Sequence, residues 1–182
     1  MELARSWLSD CKRHHQACKG IGNTLRRPPT RLIHVLKSRH GDNSRNLEIK
    51  LVEINLQSGP IEYLALSHCW GGTNTLRLLN ENYEFCKEAI SFSALSKNMR
   101  DAIIIVTQKL GYYYIWIDFL CIIQDSVDDW RAEAARMETV YAGAACTLAS
   151  MASESGDGGC FDSRSPRALR FCKVRASQSW LN

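Results

Sequence analysis

Residues 112–125, YYYIWIDFLCIIQD, place aromatic and β-branched side chains in one short run and interrupt it with a single carboxylate, Asp118. A run that is apolar on both faces suits a strand covered on both sides, as strands of a parallel sheet are under their helices. The stretch is therefore expected to form the central strand of an α/β sheet. Gly111 before it reads as a helix stop, and the polar cluster from Gln124 to Asp129 as a turn into the next helix. Asp118 would then stand near the carboxyl end of the strand, where open α/β sheets hold their ligands.

The other segments supply what such a sheet needs. RLIHVLK and LEIKLVEI, separated by the turn-rich HGDNSRN, predict an antiparallel hairpin. IEYLALSHCWGG predicts a second buried strand, ended by Gly71 and Gly72. A short helix is expected around Asn80 to Ala89. From Ser96 to Leu110, Met99, Ala102, Ile103, Val106 and Leu110 recur at helical spacing, so a helix should carry the chain into the central strand. Strand, helix, strand is the βαβ arrangement. Cys146 to Ser150 predicts a third parallel strand.

With 182 residues, 45% of them hydrophobic, the chain can bury one core, and one domain is expected. No apolar run approaches the ~20 residues of a membrane-spanning helix. Arg, Lys and His stud the first twenty residues, where a secretory signal would be apolar. A cytoplasmic protein without a membrane span is the expectation. Basic residues outnumber acidic ones 11 to 4 in 1–50 and 5 to 0 in 164–182, whereas 51–163 carries 7 basic against 15 acidic. An acidic middle argues against nucleic acid as a partner, because phosphate contacts need a positive surface. The eight cysteines include Cys69, Cys86, Cys121 and Cys146 in or beside apolar segments, which predicts reduced, buried thiols.

Three local patterns invite chemistry. Cys11, His14 or His15, and Cys18 have ligand types that zinc prefers. No second Cys/His pair follows at close range, so no metal site is assigned and a short helix with exposed histidines is expected. Gly20 and Gly22 follow no strand and lack a third glycine, which makes a dinucleotide loop a poor reading. Cys69 adjoins His68, but neighbours on a strand face opposite ways, so the imidazole is badly placed to activate the thiol. In DDWRAEAARMETVYAG, Asp128 or Asp129 suits the N-cap. Trp130, Ala134, Met137 and Tyr141 should form the core face, with Glu133 at its edge.

Taken together, PTRLIHV, YLALSHCWGG, RDAIIIVTQKLGYYYIWIDFLCIIQD, DWRAEAARMETVYAGAACTLAS and GGCFDSR resemble the fungal heterokaryon-incompatibility (HET) domain. The likeness runs from about residue 29 to residue 164, leaving 1–28 as a helical arm and 165–182 as a basic tail that begins a longer chain. It implies a module of fungal nonself recognition that triggers programmed cell death through self-association and signalling, as a homo-oligomer or with another death-signalling protein. The HET family is in turn similar to Toll/interleukin-1 receptor (TIR) domains. That likeness implies a doubly wound, mainly parallel sheet with flanking helices, plus the N-terminal antiparallel hairpin. Several TIR branches cleave NAD through a helix glutamate, whose nearest counterpart is Glu133. On that alternative the chain would be an NAD glycohydrolase with NAD as substrate and no certain cofactor. Glu133 and Asp118 would be the catalytic pair, and His68, Trp70, Gly71 and Trp116 would line the cleft.

Overall fold

A computed structural model of the chain describes residues 2–16, 28–37, 47–55, 61–70, 75–151 and 155–161. Five strands form one sheet: β1 (Arg31–Lys37), β2 (Leu47–Glu53), β3 (Leu64–Ser67), β4 (Tyr114–Ile117) and β5 (Cys146–Ala149). Their spatial order is β2-β1-β4-β3-β5, so β4 is central, as the apolar run predicted. β3 lies parallel to β4, Ala65 opposite Trp116, and parallel to β5, Leu66 opposite Leu148. β1 is antiparallel to β2 over its whole length, and antiparallel to β4 with Ile33 opposite Ile115. The α/β sheet is mixed rather than mainly parallel. The expected hairpin does not stand apart from it; β1 fills the place beside the central strand.

Six α-helical segments accompany the sheet among the described residues: α1 (Glu2–His14), α2 (Tyr83–Glu88), α3 (Lys97–Ile104), α4 (Asp118–Cys121), α5 (Val127–Ala134) and α6 (Met137–Gly143). Ser96 caps α3 by accepting from the Met99 amide, and Met99, Ala102 and Ile103 form its buried stripe. The helix widens into a π-helical turn over Ile105–Leu110 and ends at Gly111, whose φ of 80° few other residues adopt. Tyr63, just before β3, donates to the Val140 carbonyl of α6, and Trp116 of β4 meets Tyr141 edge-on at 5.3 Å. These two contacts seat α6 on the sheet face that carries Tyr63, Ala65 and Trp116. The amino-terminal α1 is tethered by Arg5, which donates to the Lys109 carbonyl at 2.7 Å, and by Lys12, which pairs with Glu62. No helix among the described residues is long and apolar enough to cross a membrane.

Several local expectations need correcting. The central strand stops at Ile117 rather than continuing through the apolar run. The Asp118 carboxylate accepts from the Phe119 amide, and the Ile122 amide bonds the Asp118 carbonyl, so the chain turns into α4. Neither Asp128 nor Asp129 caps α5; Ser126 does, accepting from the Asp129 amide. The Asp129 carboxylate accepts from the Ile123 amide and from Arg31 instead. Of the expected core face, Met137 and Tyr141 pack against the core, but Trp130 does not, and the helix breaks at Ala135–Arg136. Trp130 is half exposed and Glu133 is buried. Of the cysteines expected inside, Cys86 and Cys121 are buried, Cys146 is half-buried and Cys69 is exposed, and these four form no disulfide.

Candidate functional site

Parallel pairing of β3 and β4 brings the residues after each strand to one edge of the sheet, and His68, Trp70 and Asp118 meet there. The Trp70 indole donates to Asp118 Oδ2 at 2.7 Å, and Asp118 Oδ1 takes the Phe119 amide at 2.8 Å. His68 Nδ1 lies 3.9 Å from Asp118 Oδ1, too far for a hydrogen bond. It is buried and has no partner among the described residues. Cys69, between them in sequence, is exposed. Trp70 rests on the Phe119 ring at 5.1 Å and stays half exposed, so it forms the outer wall of the group.

Burial governs the electrostatics of this edge. It pushes the Asp118 carboxyl above the usual carboxylate range, although His68 and the N–H groups of Trp70 and Phe119 act the other way. It also pushes the His68 imidazole below its ordinary value, against the pull of Asp118. Tyr141, whose hydroxyl points to the Leu66 carbonyl, is raised to about 12 by burial and then by the Asp118 charge. Trp116 does not stack in an open cleft: it is fully buried, and its indole N–H has no partner among the described residues. Gly71 lies outside the described residues.

Glu133 joins a different group. Thr30 donates to Glu133 Oε1 at 2.5 Å, Arg136 reaches the same oxygen at 3.4 Å, and Arg31 Nη2 stands 3.9 Å away. Arg31 is itself buried and bonds Asp129 at 2.5 Å. Burial opposes its charge, but the bond to Asp129 and the field of Glu133 outweigh that and raise its pKa. Arg136 also donates to the Thr30 hydroxyl and to the Pro28 carbonyl. This network fastens α5 to the start of β1. Because β1 runs antiparallel to β4, its first residue lies at the same sheet edge as Asp118. Cys121 is buried within the fields of Arg31, Asp118 and Glu133, and burial takes its thiol up to about 12. Glu133 Oε2 and Arg31 Nε are buried without partners among the described residues.

Sequence reasoning missed Thr30 and Arg31, and took Asp129 for a helix cap rather than the partner of Arg31. Arg31 carried a usable signal, since a charged residue opening an apolar strand must find a counter-charge when that strand is internal. No cluster of three or more His, Cys, Asp or Glu able to hold a metal is found among the described residues, and Cys18 lies outside them.

Searches of curated proteins and of solved structures gave no match. A family model described as heterokaryon incompatibility protein (HET) matches residues 63–182, which is more than half of the chain. The matched span holds both parallel pairings of the sheet, the His68, Trp70 and Asp118 group, and Glu133. On the extent of that match, the chain belongs to the heterokaryon incompatibility (HET) family.

Proposed function

We propose that this chain is the signalling module of a fungal nonself-recognition system. It acts in the cytoplasm and triggers programmed cell death by associating with copies of itself or with another death-signalling protein. Family membership over residues 63–182 is the observation that carries this reading. The wiring of the carboxylates supports it: Asp118 holds together the segments after β3 and β4, and Glu133 ties α5 to β1. Both duties are met by folding alone. On this reading residues 29–164 act as one domain, with 1–28 as an arm and 165–182 as a tail. The doubly wound TIR architecture comes with the proposal and is supported by the parallel β5-β3-β4 half of the sheet. The test is to express the chain inducibly in a fungal host while following sedimentation of the purified protein over a wide concentration range. Growth arrest together with concentration-dependent assembly is expected. Unaffected growth with a monomer at every concentration overturns the proposal.

One observation favours a second reading, the NAD glycohydrolase. Glu133 Oε2 has no partner among the described residues, which leaves an acceptor for a ribose hydroxyl or a developing positive centre; because that atom is buried, the site would have to open for substrate to reach it. Asp118 would assist, while His68, Trp70 and Gly71 would line the site and the buried Trp116 would only support it. Incubating concentrated protein with NAD and following nicotinamide release tests it, and a flat trace at every protein concentration removes it.

A further inference from the structure

Opposite ends of the parallel strands carry exposed apolar side chains on surfaces of opposite charge. At the end where β3 and β4 begin, α1 is held by Arg5 on the Lys109 carbonyl and by Lys12, which pairs with Glu62 and covers the Tyr112 ring at 5.0 Å. Leu3 and Trp7, four residues apart and so on one face of α1, stay 61% and 63% exposed. Residues 1–28 hold six basic against two acidic residues.

α2 and α5 lie at the other end, where β4 finishes. Tyr83 of α2 bonds Glu53, which pairs with Arg31 at the start of β1. Asn80 gives both its amide and its side chain to Asp125, which seats the approach to α2 against the turn into α5. Phe85 on α2 is 72% exposed, and Val127 and Trp130 stand exposed three residues apart on α5. Around them, 80–88 and 125–131 hold six acidic against two basic residues. Lys87 is spent on Glu84 and Asp129 on Arg31, while Glu81, Glu88, Asp125 and Asp128 are exposed. Large apolar side chains left bare among charges mark an interaction surface, and its acidic sign selects a basic partner. Held at the far end of the strands, α1 cannot reach this face of its own molecule. The α1 of a second copy can.

We propose that copies of this chain join head to tail: the basic arm of one copy lays Leu3 and Trp7 of α1 against Phe85, Val127 and Trp130 on the acidic face of the next. This rests on the self-association reading above and names its surface. Because arm and face are different patches, each copy that docks presents a fresh face, and assembly extends beyond two copies.

Sedimentation of the full chain tests this with two variants changed only at exposed positions. The face variant carries Phe85→Ala and Glu88→Lys; the arm variant carries Trp7→Ala and Arg13→Glu. Wild type should form assemblies larger than a dimer, and each variant alone should stay monomeric. Mixed in equal amounts, they retain one good arm and one good face between them, so they should form a dimer that grows no further. Variants that assemble as wild type does, or a mixture that stays monomeric, overturn this interface and leave self-association standing. Wild type that is a monomer at every concentration overturns both. Salt supplies a readout free of variants: raising it from about 0.05 M to about 0.5 M should weaken wild-type assembly about tenfold or more, and assembly that strengthens with salt overturns the proposal.

Discussion

Changing Glu133 to Gln removes one charge from a network that has two arginines to satisfy. The side chain is 4% exposed, and its Oε1 takes Thr30 at 2.5 Å and Arg136 at 3.4 Å, with Arg31 at 3.9 Å. Glutamine keeps an oxygen for the Thr30 hydroxyl. Its amide nitrogen, however, must occupy the buried position of Oε2, which has no partner among the described residues. Removing one member of a buried ion pair costs about 3–5 kcal/mol, with the low end or less expected where hydrogen bonds survive. Here the Thr30 bond remains and Arg31 keeps Asp129 at 2.5 Å, so the expected loss is about 2–3 kcal/mol. With a urea dependence of about 1–3 kcal/mol per molar, the midpoint should fall by roughly 1–2 M in a melt followed by circular dichroism. A fall below about 0.3 M, or any rise, would refute the claim that Glu133 holds α5 to β1. The result also governs the glycohydrolase test, because activity lost in this variant counts as chemistry only where the protein remains folded.

Three other perturbations probe the rest of the structure. Asn98, fully buried on α3, donates to the Ser155 carbonyl and accepts from the Gly159 amide at 2.6 Å; Asn98→Ala should cost about 2–4 kcal/mol and make 155–161 an early site of proteolysis, and an unchanged urea midpoint would count against this. Among the described cysteines, Cys69 should react with a thiol reagent first, while buried Cys86 and Cys121 react only on unfolding; timed labelling with mass spectrometry reads the order. Tyr83 and Tyr141 are raised from 10.0 to about 12, so the stability they contribute is present below pH 10 and lost as pH rises through 12; phenolate absorbance should show both titrating late, and Tyr83→Phe should remove one late-titrating phenol.

Elements with strong periodicity are legible in the sequence. The stripe of Met99, Ala102, Ile103 and Val106 forms one buried face, Gly111 ends the helix, and the LALS and CTLA segments pair in parallel. Asp118 at the end of the central strand could be read from one carboxylate in an apolar run. The position of β1 could not, because an apolar hairpin strand looks the same at an edge as beside β4, and only pairing decides. The inverted burial of Trp130 and Glu133 was hidden for a related reason. Helical arithmetic assumes an apolar core, whereas a counter-charge and a hydroxyl distant in sequence, Arg31 and Thr30, draw Glu133 inside.

Placing β1 between β2 and β4 also shapes how the polypeptide can mature on the ribosome. Ile33 emerges long before Ile115, its opposite number, so the hairpin must wait with one backbone edge bare. At about 5–20 residues per second the delay is on the order of several seconds, long enough for a chaperone or a neighbouring nascent chain to reach that edge.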